Sequence, residues 1–319
     1  VAGIFERIHH RFTQSPANSL PGRSSEFVEP SGEDLALRLS SMPGYRVLRE
    51  IDTNLGVERL RATAVGERIA VIVDTETTGL DPIKDRIIEI AVQRVIFDDG
   101  QHIVEIERAK SWLEDPQRRL TAEISRLTGL VDRDLSGQRF DDEAILEMIG
   151  DSDIVIAHNA AFDRPFLDRR FPSLSDFPWA CSLSQLDWRG LGFDGRALGH
   201  LVLQSGRFFD GHRAGNDVSA LVTLLGTMAP DGRTILAHLL DRCKRDSHRI
   251  EAIGAPFEAK DELKARGYRW DADRRHWWRE VETSELSSEE EWLEREVYRG
   301  RGRPRSIPIT PRTRFKRDG

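Results

Sequence analysis

A mixed α/β domain is what this sequence predicts, with a small α+β module after it and flexible termini. Three observations carry that expectation. Arg68 to Asp74 is a β-branched run of the kind found in strands buried on both faces; residues 86–97 alternate; and a short buried strand, Asp153 to Ala157, precedes a stretch dominated by helical patterns.

Taken in order, Ile4, Ile8 and Phe12 recur every four residues as in a short amphipathic helix, and residues 14–33, rich in Ser, Pro and Gly, read as linker. Residues 34–40 look helical and Tyr45 to Ile51 looks like a strand, so 34–66 is expected to be a small element leaning on the main domain. The main domain is assigned to residues 67–248. Within it, Ile88, Ile90, Val92 and Ile96 mark the second strand, and Asp98-Asp99-Gly100 supplies turn chemistry. A third strand through Val104 and Ile106 completes a meander. Helical patches at 121–127 and 141–149 come before the Asp153 to Ala157 strand. A separate module is assigned to 250–300 and a disordered basic tail to 301–319.

Composition sets the class. The chain has 319 residues with 54 Asp or Glu against 47 Lys or Arg, a formal net charge of −7. Cys181 and Cys243 are the only cysteines and form no C-x-x-C pair, which fits a reducing compartment and gives no zinc signature. The longest aliphatic run, Ile69 to Val73, is far short of the roughly 18 to 20 apolar residues of a membrane span. Glu6, His9, His10 and Arg11 interrupt any signal-peptide core, so a cytoplasmic protein without membrane partners is expected. Charge is uneven: residues 299–319 hold eight Lys or Arg against Asp318 and sum to +7, leaving −14 elsewhere. Such a segment reads as a solubilising end or as an electrostatic arm for a polyanion.

Chemistry is concentrated in three short segments. Asp74-Thr75-Glu76 closes the first strand, and alternate residues of a strand share a face, so both carboxylates project together. Asp163 follows the Asp153 to Ala157 strand at a strand-to-helix junction. Asp217 lies beside the apolar stripe Ala214, Val218, Leu221 and Leu225, at the edge of a buried helix face. Four carboxylates in one pocket repel by roughly 4 kcal/mol per pair at 4 Å and an effective dielectric of 20. All-oxygen ligation selects hard cations, two Mg²⁺ or Mn²⁺ ions, a pair suited to in-line phosphoryl displacement. His212 is placed to accept a proton from an attacking water, a role suited to an imidazole. His158 competes for that role, but its position fits a hydrogen bond near the strand end.

Together these segments resemble the DEDDh family of 3′ to 5′ exonucleases, which includes the proofreading epsilon subunit of bacterial replicative DNA polymerase and RNase T. Asp74-Thr75-Glu76-Thr77-Thr78-Gly79 is similar to its first motif, His158-Asn159-Ala160-Ala161-Phe162-Asp163 to its second and His212-x-Ala214-x-x-Asp217 to its third. Leu127-Thr128-Gly129-Leu130 resembles an intervening element, and the likeness covers roughly residues 68 to 228. The resemblance implies an RNase H-like sheet, Asp74, Glu76, Asp163 and Asp217 as metal ligands, and His212 as general base. It further implies that Thr77, Thr78 and Leu80 line the terminal-nucleotide pocket, with Asn159 and Phe162 supporting the strand. The substrate expected is a free 3′ end of single-stranded or frayed DNA, cleaved to nucleoside 5′-monophosphates in repair or proofreading, with replication or repair proteins as partners. The alternatives are trimming of RNA 3′ ends, since no residue visibly tests for a 2′-hydroxyl, and a non-catalytic nucleic-acid-binding or assembly factor, against which the complete acidic set argues. Gln185-Leu186-Asp187-Trp188 faintly resembles a sliding-clamp-binding peptide, but Trp188 reads better as core.

Residues 256–298 differ in composition. Trp270, Trp277, Trp278 and Trp292 are interleaved with Lys260, Lys264, Arg266, Arg269, Arg274 and Arg275, and Ser287-x-x-Glu290 reads as a capping box before a helix. Segment 256–270 is similar to a small module appended to some bacterial exonucleases. Its tryptophans read as the core of a mini-domain, or in part as a stacking platform for single strands flanked by phosphate-binding cations.

Overall fold

The computed structural model describes residues 29–317, so the repeat of Ile4, Ile8 and Phe12, most of the expected 14–33 linker and Asp318 lie outside the described residues. Two compact units divide at residues 47 and 48. In the first, α1 (Gly32–Ser40) begins at a capping box in which the Ser31 hydroxyl accepts from the Asp34 N–H and the Asp34 carboxylate accepts from the Ser31 N–H.

In the second unit, β1 (Arg49–Glu50) pairs with β8 (Arg207–Phe208), so the strand expected over Tyr45 to Ile51 is confined to two residues. Ile51 is buried in the main core, which makes residues from 48 onward part of that unit. The main sheet contains β2 (Arg68–Thr77), β3 (Ile87–Phe97), β4 (Ile103–Ile106), β5 (Lys110–Leu113), β6 (Ile154–Ala157) and β7 (Trp179–Cys181). Its order is β4-β3-β2-β6-β7, with β5 also on β3; the first strands are antiparallel, and β2-β6-β7 are parallel. This is the RNase H-like mixed sheet. Helices α2 (Ala122–Thr128), α3 (Asp132–Leu135) and α4 (Asp142–Gly150) connect β5 to β6, and α5 (Ala160–Arg170) connects β6 to β7. Then come α6 (Ser182–Gln185), α7 (Leu198–Gln204), α8 (Ala214–Leu225) and α9 (Ile235–Cys243).

The period of two along β2 divides the core. Ala70 and Ile72 join a cluster with Val218, Leu221 and Leu225 of α8, whereas Val71 and Val73 join Phe166 and Leu167 of α5 on the opposite face. Continued past Val73, the same alternation turns residues 74 and 76 toward α8 and residue 75 toward α5. Trp188, 2% exposed, fills the first cluster as expected.

The expected boundary near 248–250 falls inside β9 (Ser247–Ala252), so no linker separates main domain and module. A second sheet, all antiparallel, runs β10-β11-β9-β12 with β10 (Arg269–Asp271), β11 (His276–Glu282) and β12 (Arg305–Ile309). Helices α10 (Lys260–Ala265) and α11 (Leu286–Trp292) belong with it, over a core that includes Ile250, Leu263, Tyr268, Leu293 and Val297. Two expectations fail here. Helix α11 already begins at Leu286, after a turn of 3₁₀ helix, so Ser287 lies inside it and forms no capping box. The tail expected to be disordered is ordered through its described residues. Its backbone pairs with β9 as β12, and Arg314, 3% exposed, is buried. Backbone pairing does not require apolar side chains, which is why a composition poor in them misled.

Among the described residues no helix is long and apolar enough to cross a membrane. Both cysteines are free and buried.

Candidate functional site

At the C-terminal end of β2, the alternation that built the core changes chemistry. Asp74 and Glu76 continue the face of Ala70 and Ile72, and α8 packs on that face, bringing Asp217 from its first turn. One carboxylate oxygen from each of Asp74, Glu76 and Asp217 lies within 4.8 Å of the others. Thr75 points the other way, toward α5, and there it meets Asp163: the Asp163 Oδ1 accepts from the Thr75 backbone N–H at 3.1 Å and from its hydroxyl at 2.8 Å. Asp163 therefore reaches the cluster from the opposite face of the strand. It stands outside the trio but close enough to act on its charge.

Burial comes first among the causes that raise all four carboxyls, and mutual repulsion adds to it. Asp74 is driven well above the ordinary carboxylate range by burial and then by Asp163, Asp217 and Glu76. Glu76 is pushed up to about 8 by burial and then by Asp217, Glu89 and Asp163. Asp163 and Asp217 are raised by burial too, against hydrogen bonds from Thr75 to the first and from the His212 backbone to the second. The Asp217 Oδ2 is buried without a hydrogen-bond partner. Clustered acids and an orphaned oxygen fit a multivalent hard cation, which would neutralise the charge and take the free lone pairs.

A fifth acid escaped the sequence reading. Glu89 on β3 is the cross-strand partner of Glu76, is 1% exposed, and adds its charge to the cluster. Its two oxygens accept from the Arg213 Nε and Nη2, each at 3.1 Å. The pair ties the start of α8 to the sheet. The available signal was a lone acid in the aliphatic stretch Ile87-Ile88-Glu89-Ile90-Ala91.

His212 is exposed just before α8, next to Arg213, with a left-handed backbone (φ 67°) that a non-glycine residue rarely adopts. Asn159 has the same handedness (φ 84°) at the N-terminus of α5. Thus both helices that deliver Asp163 and Asp217 are entered through a strained residue. His158 is engaged at both ring nitrogens: Nε2 donates to the Arg196 carbonyl at 2.9 Å, and Nδ1 accepts from the Ser182 hydroxyl at 2.8 Å. Burial lowers its pKa to about 4, so it stays neutral near pH 7.

Of the remaining expected site residues, Thr77 is buried and its hydroxyl donates to the Gly79 carbonyl at 2.6 Å. Thr78 bonds Asp85 and Arg118, which fixes the turn after β2. A Cβ at Gly79 would sit 2.5 Å from the Asp85 carboxylate, which would have to shift from its place against Thr78 and Arg118. Leu80 is 84% exposed beyond the turn, and Phe162, half-buried, packs against Phe166. Leu80 and Phe162 line a cleft of about 790 Å³ that the four acids do not line.

The sequence model of the RNase T family, described as Exonuclease, matches residues 71–225. The chain is 34% identical over 136 residues to the PolC-type DNA polymerase III of Thermotoga petrophila, covering 42% of this chain and 9% of that protein. It is 39% identical over 111 residues to the PolC-type DNA polymerase III of Bacillus subtilis, covering 34% and 7%. It thus spans less than a tenth of the length of these relatives. Among solved structures, Exonuclease X in complex with 5′ overhanging duplex DNA aligns with a TM-score of 0.38 and 23% identity over 52% of this chain and 98% of that one. Exonuclease I of E. coli, in complex with a dA16 oligonucleotide, aligns with a TM-score of 0.42 and 14% identity over 57% and 48%.

Proposed function

We propose that this chain, whose residues 71–225 form a domain of the DEDD-type 3′ to 5′ exonuclease family, hydrolyses the terminal phosphodiester at a free 3′ end of single-stranded or frayed DNA and releases nucleoside 5′-monophosphates in repair or proofreading. The observation that carries this is the convergence of Asp74, Glu76 and Asp217 within 4.8 Å, with Asp163 tied to the intervening Thr75. Asp74, Glu76 and Asp217 would hold divalent cations, with Asp163 completing the set from the other face. Two Mg²⁺ or Mn²⁺ ions, when bound, supply charge neutralisation at the phosphate and polarise the attacking water.

The chain's own groups do the rest. His212 accepts the proton of the water that attacks phosphorus, and the bond to the preceding nucleotide's 3′ oxygen breaks. Its exposed setting lets it pass that proton to solvent. The fork of Arg213 on Glu89 holds the start of α8, and with it both His212 and Asp217, against the sheet. Thr77, Thr78 and Leu80 line the pocket for the terminal nucleotide, and Asn159 and Phe162 support the strand. DNA is favoured as substrate because the curated relatives that match are DNA polymerases.

The test compares labelled oligonucleotides with free and blocked 3′ ends, DNA and RNA in parallel, in Mg²⁺ or EDTA. Stepwise loss from free DNA ends only, and only with metal, is expected; equal loss of blocked ends would overturn the reading. His212→Ala is expected to lower kcat by roughly 10² to 10⁴ while oligonucleotide binding in EDTA persists.

A further inference from the structure

The tail and the module return to the exonuclease domain and enclose a cleft with it. The cleft runs from Leu80 and Phe162, past Gln185 and Arg242, to Arg269 and Trp278 of the second sheet. Eight of its lining residues are Lys or Arg, and one, Glu280, is acidic. In a chain of net charge −7 this is a concentration of the opposite sign.

Seven of these eight cations have an ion pair within the chain, Lys316 with Asp176 and Arg317 with Asp81 among them, yet the pairs leave some donors unused. Arg314 is 97% buried, since 3% is exposed. Its Nη2 meets the Ser247 hydroxyl at 2.7 Å and Glu280 at 3.2 Å, yet its Nε and Nη1 have no hydrogen-bond partner. The Arg242 Nη1 is orphaned in the same way. Gln185 hydrogen-bonds the buried Cys243 thiol, and the charges of Arg314 and Arg242 act on that same thiol, so both guanidinium groups lie on its side of the cleft. A buried guanidinium with idle donors is costly unless an anion lies near.

We propose that this cleft is the path of the single strand upstream of the scissile bond, its phosphates held by the cations and its bases facing Trp278, Phe162 and Phe315. This rests on the exonuclease reading and extends it, because Leu80, expected in the terminal-nucleotide pocket, and Phe162, expected to support the strand, both line the cleft. Leu80 lies in the turn that follows β2, the strand that carries Asp74 and Glu76, so this turn borders the cleft. Interspersed cations and aromatic faces bind single strands without reading sequence. The ordered tail is thus a wall of the path, not a free arm.

The experiment measures binding of a labelled oligodeoxynucleotide, long enough to span the cleft, by fluorescence anisotropy in EDTA over a range of salt. It uses the full chain and the variant R269Q/K316Q/R317Q. None of these three side chains belongs to the catalytic machinery. Affinity should fall at least about tenfold, and the slope of log K against log salt should become shallower by about 2, near 0.7 for each phosphate no longer neutralised. Hydrolysis of the p-nitrophenyl ester of thymidine 5′-monophosphate, which fills only the terminal pocket, should stay within about twofold, since no upstream phosphate is present to be bound. Unchanged affinity and slope overturn the path. If the triple variant melts early, R269Q alone should still flatten the slope by about 0.7, and no change there overturns it equally. Failure of the unaltered chain to cleave any substrate would count against the exonuclease reading, while the binding data in EDTA still judge the cleft.

Discussion

Asp74 is where burial and like charge meet most severely, and the conflict predicts a pH dependence that metal reverses. Each raised carboxyl keeps in the folded chain a proton that the unfolded chain has already lost. Its stabilising contribution is therefore complete below the unfolded value, 4.5 for Glu76, and is lost as pH rises through the folded value, about 8. Asp74, Asp163 and Asp217 shift in the same direction and add to the trend. Metal-free protein should thus melt at progressively lower temperature from about pH 4.5 to 8, and added Mg²⁺ should raise the melting temperature more at pH 8 than at pH 5. A melting temperature in EDTA that is flat or rising across this window would refute it. Asp74→Asn should separate the two roles of the residue. It is expected to abolish turnover yet stabilise the metal-free fold at pH 8, by at most about 4 kcal/mol, the repulsion of two unit charges 4 Å apart at an effective dielectric of 20. Denaturant titration in EDTA beside an activity assay reads both.

One helix, α5, joins the site to the tail. Arg164, the neighbour of Asp163, is fully buried and donates to the Arg314 and Arg312 carbonyls, each at 2.6 Å, to the Ser175 carbonyl at 2.7 Å and to Asp168 at 3.2 Å. A planar fork with several donors suits this set, and an ammonium group does not. Arg164→Met should cost about 3 to 5 kcal/mol, because it strands Asp168 and several carbonyls at once. It should also let trypsin cut at Arg312 to Arg317 under conditions where the unaltered chain resists. Persistent resistance would mean that β12 alone holds the tail. These contacts show why parts of the molecule were legible in sequence and others were not. β2 and β6 are β-branched and β2 carries acids at its C-terminal end, so the period of two located Asp74 and Glu76, and the junction after β6 located Asp163. Glu89 carries no local signal, since its meaning lies in Glu76 across the sheet and Arg213 far along the chain. β5 is four residues, Lys110-Ser111-Trp112-Leu113, too short to show a period. The tail's order comes from pairing with β9 and from Arg164, contacts that span more than fifty residues and leave no trace in its own composition.

Chains of this length ordinarily unfold domain by domain, and the sequence alone suggested a main domain, a module and a loose tail. The chain path argues for something more cooperative. The second sheet has an apolar cluster of its own, so by burial alone it would qualify as an independent domain. However, β9 follows α9 after three residues, β12 returns to pair with it, and the segment beyond β12 docks on the main domain: Pro311 accepts from the Trp179 N–H at 2.8 Å, and Phe315 packs into the cluster of α5. The module is thus tied to the main domain at its entry and again at its exit. Pulling the tail from the main domain strips Arg164 of the Arg312 and Arg314 carbonyls and leaves it only Asp168 and the Ser175 carbonyl, a penalty of about 1 to 3 kcal/mol that favours joint unfolding. Calorimetry in EDTA should show one transition for residues 48–317, with calorimetric and van't Hoff enthalpies in agreement. Deleting residues 304–319 removes the exit tie and Phe315 while sparing β9, β10, β11 and the buried residues of each apolar cluster, and should split the single transition into two, the smaller one assignable to the module by tryptophan fluorescence. Two resolved transitions in the intact chain would show instead that the tail binds the parts without coupling them, and the cleft would then be free to open and close around its strand.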